Sequence, residues 1–350
     1  MKIVPLIQCS LTLWLLGQSF ATAASDSCLL KAWQGTLAKT PVVLEFIGHA
    51  DSVAGHYYYR TKLEELVLQA DDTSLESWQE QDGEGNITGY FSNLLCKGDS
   101  LTGDWRSPDG KTKLLLSAKP LKNFQQPRLD SLKFTEGNTQ QKGALSYQLL
   151  KAAAFPDVEF PRFSTKTPAL EKLNQSLRAD YFTSIGDLLD CNSQALLNQG
   201  ASCSLSQAWE VKTANTEFVV LSHFYDSYMG GAHSSSDTLF LTYSLQNGER
   251  VDVGDWLIAQ YKSEIAKDSP LGMLILKKYL TGGSAQEGCE EDISFYGGNL
   301  WPSEKGLQFE VSTSYVMRPC DDTVAIPYRT LWPFLSEQGR HAATTFGFSK

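Results

Sequence analysis

The 350-residue sequence predicts an α+β protein in two parts. An N-terminal all-β meander or small barrel comes first, followed by a two-layer α+β domain with an antiparallel sheet and helices. Three observations predict this. Short alternating apolar runs, separated by turn residues, fill residues 28–118 without a helical period. A stretch rich in Pro, Gly, Asn and Gln follows at 119–140. Beyond it, one long apolar stripe at 3–4-residue steps is followed by further alternating runs.

Residues 1–24 read as a secretory signal peptide. Met1-Lys2 gives a basic start, Ile3 through Leu16 an apolar core, and Ala21-Thr22-Ala23-Ala24 a small-residue cleavage site. Gln8, Cys9 and Ser10 interrupt the apolar core, which is too short and broken for a transmembrane helix. No later run approaches about 18 apolar residues, so no membrane span is expected once the signal is removed. From this reading the protein is expected to be periplasmic or secreted.

Residues 25–118 form the β-rich domain. Alternation is visible in Val42-Val43-Leu44-Glu45-Phe46, in Gly55-His56-Tyr57-Tyr58-Tyr59-Arg60 and in Leu63-Glu64-Glu65-Leu66-Val67-Leu68. Asp71-Asp72, Asp82-Gly83-Glu84-Gly85-Asn86 and Ser107-Pro108-Asp109-Gly110 supply the turns. A glycine closely followed by an aromatic recurs at Gly55/Tyr57, Gly89/Tyr90 and Gly103/Trp105, which reads as one strand type reused with its aromatic packed across strands. Tyr57, Tyr58 and Tyr59 must alternate between faces, so at least one is expected to face outward.

Residues 119–140 read as a linker, and 141–350 as the α+β domain. A strand is expected at 144–150. A helix is expected at 168–189, where Leu170, Leu173, Leu177, Tyr181, Ile185 and Leu188 form one stripe and Thr167-Pro168 make an N-cap and first-turn pair. Strands are expected at 208–213, 217–225 and 238–245, the last ending in an Asn247-Gly248 turn. Helices at 255–266 and 270–280, strands at 307–312 and 323–326, and a short helix after Pro327 complete the order.

Six cysteines remain after the signal: Cys28, Cys96, Cys191, Cys203, Cys289 and Cys320. An even number in an exported chain argues for disulfides. Pairing within each domain favours Cys28–Cys96, Cys191–Cys203 and Cys289–Cys320. No C-x-x-C, H-E-x-x-H or G-x-S-x-G motif is present. Asp82, Glu84 and Asn86 mimic the start of a calcium loop, but Ile87 and Asn93 stand where its glycine and bidentate glutamate belong. No metal and no cofactor are therefore expected. The formal net charge of −10 argues against nucleic acid and suits a cationic partner. Glu287, Glu290, Glu291 and Asp292 around Cys289 read either as a solvated acidic loop or as a landing surface for such a partner.

The segment Tyr225-Asp226-Ser227-Tyr228-Met229-Gly230-Gly231-Ala232-His233 carries the most specific pattern. Asn247-Gly248, Val251-Asp252-Val253, Trp256-Leu257, Gly306-Leu307-Gln308-Phe309, Tyr315 and Val324-Ala325-Ile326-Pro327-Tyr328 follow it. In order and spacing, about residues 140–336 resemble the C-terminal ectodomain of the RsiV family of lysozyme-sensing anti-sigma factors. A similar domain accompanies some peptidoglycan deacetylases, outside their catalytic part. The resemblance implies a non-enzymatic extracytoplasmic binding domain, with lysozyme, another cationic protein or a cell-wall component as ligand. Tyr225, Tyr228, Gly230, Gly231, His233 and Tyr315 are the expected ligand contacts. The chain departs from that family in its cleavable signal, its cysteines and its added β-rich domain. His233 follows two glycines and precedes Ser234-Ser235-Ser236-Asp237, so the alternative is an envelope hydrolase acting on peptidoglycan. A further alternative is an accessory structural module.

Overall fold

Eight strands follow one another between Ala32 and Leu121: β1 (Ala32–Leu37), β2 (Thr40–His49), β3 (Ser52–Tyr59), β4 (Glu65–Ala70), β5 (Trp78–Gln81), β6 (Ile87–Lys97), β7 (Ser100–Arg106) and β8 (Lys113–Leu121). Each pairs antiparallel with the next, and β8 closes on β1 from Ala32↔Leu121 to Leu37↔Leu116. Closure gives every strand two partners and leaves no edge. The computed structural model describes residues 28–49, 52–62, 64–70, 75–164, 166–198, 200–282, 289, 293–295, 300–313 and 320–349. The expected signal peptide lies outside them. The chain divides into two units, Met1–Pro127 and Arg128–Lys350.

Trp33, Leu44, Phe46, Tyr57, Trp78 and Phe91 fill the barrel. One carboxylate is buried among them. Glu80 is 2% exposed and accepts hydrogen bonds from Tyr57 Oη (2.5 Å), Trp105 Nε1 (2.6 Å) and Thr88 Oγ1 (2.7 Å). Gly89 makes room for this arrangement, since a Cβ there would lie 2.3 Å from Trp105 Nε1. The glycine–aromatic recurrence thus has a packing basis at Gly89, where the aromatic that uses the space sits on the next strand.

The tyrosine triplet alternates, but the outward member is covered. Tyr58 faces out of the barrel and is 0% exposed because Phe124 lies over it at a ring separation of 5.1 Å. Its hydroxyl donates to the Phe124 carbonyl at 2.9 Å. His56, two residues earlier on the same face, is buried beside the same ring. Its nitrogens lie 2.9 Å from Glu65 and 3.2 Å from Glu45.

Residues 119–140 hold the end of β8, a short helix α1 (Gln126–Asp130) and strands β9 (Phe134–Glu136) and β10 (Gln140–Lys142). Elements of three to five residues are too short to leave a hydrophobic period in sequence. β9 and β10 both pair with β11 (Leu145–Ala152), which also pairs with β12 (Glu159–Phe163).

Helix α2 (Pro168–Leu197) starts where the sequence places it, with Thr167 Oγ1 accepting from Leu170 N at 3.3 Å. Its stripe from Leu170 to Leu188 is buried against Tyr147, Phe160, Trp209, Leu221 and Leu241. The last three belong to a second sheet of β13 (Ser204–Ala214), β14 (Phe218–Tyr228), β15 (Ser235–Ser244) and β16 (Arg250–Val251). Phe218 turns the other way, into a core with Trp256, Ile275, Phe309 and Val324. That core is built with α3 (Pro270–Thr281), a third sheet of β17 (Leu300–Ser303), β18 (Gly306–Val311) and β19 (Asp322–Ile326), and helices α4 (Tyr328–Leu331) and α5 (Glu337–Thr345). The whole is an α+β fold dominated by antiparallel sheet.

The helix expected at 255–266 does not form. Two 3-10 turns, Val253–Trp256 and Ala259–Tyr261, stand in its place. Between them the backbone bonds across the fold: Ile258 N donates to the Phe334 carbonyl at 2.9 Å, and Leu257 bridges Leu335. Those tertiary bonds replace the i to i−4 bonds a helix needs. Helix α5, which sequence periodicity did not indicate, is capped by Ser336 accepting from Gly339 N at 3.1 Å.

The disulfides are Cys28–Cys96, Cys191–Cys203 and Cys289–Cys320, the pairing expected from domain position. Three bridges mark an exported chain that matures in an oxidising compartment. Among the described residues, no helix is long and apolar enough to cross a membrane.

Candidate binding groove

The β14–β15 hairpin pairs without a register shift from Phe218↔Ser244 to Ser227↔Ser235. Its base, at 218–221 and 241–243, is buried in the two cores; from 222 to 240 no residue is fully buried. The outer half of the hairpin is therefore only partly buried, although β13 still pairs with it up to Tyr228.

The Gly-Gly-Ala-His element forms the tip. Gly230 and Gly231 have φ of +84° and +109°, a backbone region closed to most side chains, which explains the glycine pair. Tyr228 Oη donates to the Gly231 carbonyl at 3.1 Å. His233 is exposed, with Nδ1 2.9 Å from the Ser234 carbonyl. Tyr228, Gly230, Gly231 and His233 are thus brought together. Tyr225 sits lower on the hairpin, on the face turned toward His223, at a ring separation of 6.1 Å. Tyr315, Glu287, Glu290, Glu291 and Asp292 lie outside the described residues.

Side chains alternate along both strands, so the hairpin has two unlike faces. On one, His223 stacks flat on Trp209 at 3.9 Å. Burial pushes the His223 imidazole down to about 4, so it is neutral at physiological pH. On the other, Phe240 stacks on Trp301 of β17 at 3.4 Å, and Phe224 stays 42% exposed.

A groove of about 410 Å³ opens on this second face. Phe224, Thr238 and Phe240 line it from the hairpin, and Glu310, Asp321, Asp322 and Thr323 from β18, β19 and the residue preceding β19. Asp237 adds a further carboxylate, and no lysine or arginine is among the described lining residues. Two of the acids are held in place: Asp321 Oδ1 accepts from Thr313 N and Oγ1 at 2.8 and 2.7 Å, and Asp322 Oδ1 from Thr323 N at 2.7 Å. The result is an aromatic floor beside fixed negative charge. Such a surface attracts cations by Coulomb forces and by ring–cation contact.

Sequence reasoning found the tip and missed the groove. Phe224, Phe240, Trp301, Glu310, Asp321 and Asp322 come from three separate stretches. The adjacent Asp321-Asp322 pair was a visible signal, but only the folded arrangement sets it beside Phe224 and Phe240. Among the described residues, no group of three or more His, Cys, Asp or Glu side chains is arranged to hold a metal ion. The calcium-loop mimic is a turn closed on itself, with Asp82 accepting from the amides of Glu84 and Asn86 at 3.0 and 2.9 Å.

No family model and no curated protein matches this chain. Its fold is similar to a member of the DUF3298 family from Bacteroides fragilis, with a TM-score of 0.41 and 17% identity over 62% of this chain and 98% of that one. It is also similar to a DUF3298 family protein from Pseudomonas aeruginosa, with a TM-score of 0.37 and 12% identity over 60% of this chain and 97% of that one.

Proposed function

We propose that the protein is an exported, non-enzymatic binding protein of the cell envelope whose second unit captures a cationic protein, lysozyme being the ligand of choice for a first test. The observation that carries this reading is the groove, whose described lining combines four carboxylates with a partly exposed phenylalanine and includes no lysine or arginine. The chain's net charge of −10 acts in the same direction by steering a basic partner toward it. The RsiV-like pattern at the hairpin tip supplies the reason for choosing lysozyme.

Calorimetric titration with lysozyme tests the proposal. Heat of binding is expected at micromolar protein and low ionic strength, weakening as salt screens the groove. The double substitution Asp321→Asn, Asp322→Asn keeps the side-chain acceptors and removes two charges. It is expected to weaken binding about tenfold or more. No heat with the unmodified protein, or equal binding by the double variant, overturns the proposal.

A further inference from the structure

A small second core lies on the outside of the barrel. Ala32, Val43 and Tyr58 face outward from β1, β2 and β3, and Phe124, from the segment after β8, closes over them. His56 sits at the margin of this cover, 1% exposed, with its ring 4.3 Å from that of Phe124. Both of its nitrogens face carboxylates. Nε2 faces Glu45 Oε2 from β2, directly across the strand pair, and Nδ1 faces Glu65 Oε2 from β4. Among the described residues these two carboxylates are the only charged groups acting on the ring, and Phe124 brings no charge. An imidazolium donates at both contacts, but a neutral imidazole has one N–H. At the other contact its lone pair then meets a carboxylate oxygen at 3.2 Å or less.

We infer that His56 is a proton-controlled catch on this cover: as an imidazolium it holds Phe124 over β1–β3, and as a neutral ring it lets the chain from Leu121 to Phe124 open. The inference concerns the first unit and does not rest on the binding function proposed for the second. Only four buried residues form the core of the cover, so little apolar area resists its opening. The bond from the Tyr58 hydroxyl to the Phe124 carbonyl and the partly buried Leu121 add to that resistance. Tyr58 and Glu65 have further partners, which leave the conflict at the ring as it is. Burial opposes the charge on His56, but the bonds and charges of Glu45 and Glu65 outweigh it, so the closed state holds its proton above the ordinary histidine value. In the open state the ring meets water and returns toward that ordinary value, near 6.5. The closed cover is therefore favoured fully below pH 6.5, and the advantage is lost as pH rises through the raised value. Opening bares Val43 and the Tyr58 ring on the outside of the barrel.

Hydrogen exchange of the unmodified protein between about pH 6 and pH 9, corrected for the intrinsic rate, tests the catch. Protection of the amides in 121–125 is expected to fall about tenfold or more over that range. Low, non-denaturing urea is expected to leave it unchanged, because a local opening exposes little surface, while the slowest barrel amides lose protection. In His56→Asn, which carries no titrating ring, the same amides are expected to keep one protection at every pH. Glu45→Gln removes one charge and is expected to move the transition about one pH unit lower. Protection at 121–125 that stays flat with pH in the unmodified protein overturns the inference, even if neither variant folds. A fall of equal size in His56→Asn, or a transition unmoved by Glu45→Gln, overturns it too. A fall that follows urea as the slowest amides do would assign it to unfolding of the whole barrel, and the catch would be lost.

Discussion

His56 shows how a single side chain can make the barrel pH-dependent. Burial alone pushes the imidazole down, but the hydrogen bonds and charges of Glu45 and Glu65 outweigh it, and the balance lies above the ordinary histidine value. A group whose proton is held more tightly in the folded state stabilises that state fully below its unfolded value, near 6.5. That contribution is lost as pH rises through the raised folded value. Urea titrations from pH 5 to pH 9 are expected to show the unmodified protein losing stability over the alkaline side of that range relative to a His56→Asn variant. A difference between the two proteins that does not change with pH would contradict this. The residue-level environment was hidden in the sequence because Glu45, Glu65 and Phe124 meet His56 only through strand pairing and a segment outside the barrel's strands. The same holds for Glu80, whose three donors come from β3, β7 and β6. By contrast, Gly230-Gly231 was readable, because a glycine pair states a backbone requirement in the sequence itself.

At the scale of elements, α2 was the most legible. Its stripe, its cap and its opening proline all lie within one local window. Thr167→Ala removes the bond to Leu170 N and is expected to cost about 1 kcal/mol, read as a lower denaturant midpoint. Thr167→Ser keeps the acceptor and should retain most of that stability. An alanine variant as stable as the parent would show that the cap contributes nothing. The segment 253–261 was misread for the opposite reason. Its apolar anchors, such as Trp256 and Tyr261, resemble a helical face, but its backbone bonds go to residues far along the chain. Short elements such as β9, β10 and β16 were missed since two or three residues carry no period.

At the scale of the whole molecule, each disulfide stays within one unit. Cys28–Cys96 spans 68 positions and closes the longest loop of the three. Replacing both cysteines by serine is expected to cost the barrel about 4 kcal/mol, seen as faster exchange of its slowest amides, with the second unit's slowest amides unaffected. Unchanged barrel exchange would assign the bridge a minor role. The barrel's strand spacing was legible, whereas its closure depends on pairing between residues 32–37 and 116–121, which no local pattern encodes.

That seam has a consequence for the order of assembly. In a chain that emerges N-terminus first, β1 appears before all the other strands and waits for β8, the last to arrive. Until Leu121 is out, one side of β1 is bare and open to wrong partners. Cys96 emerges earlier than β8, so oxidation to Cys28 can tether the start of the chain to β6 during that interval. The bridge then acts as a holding stitch, shortening the search by which the final strand finds the first.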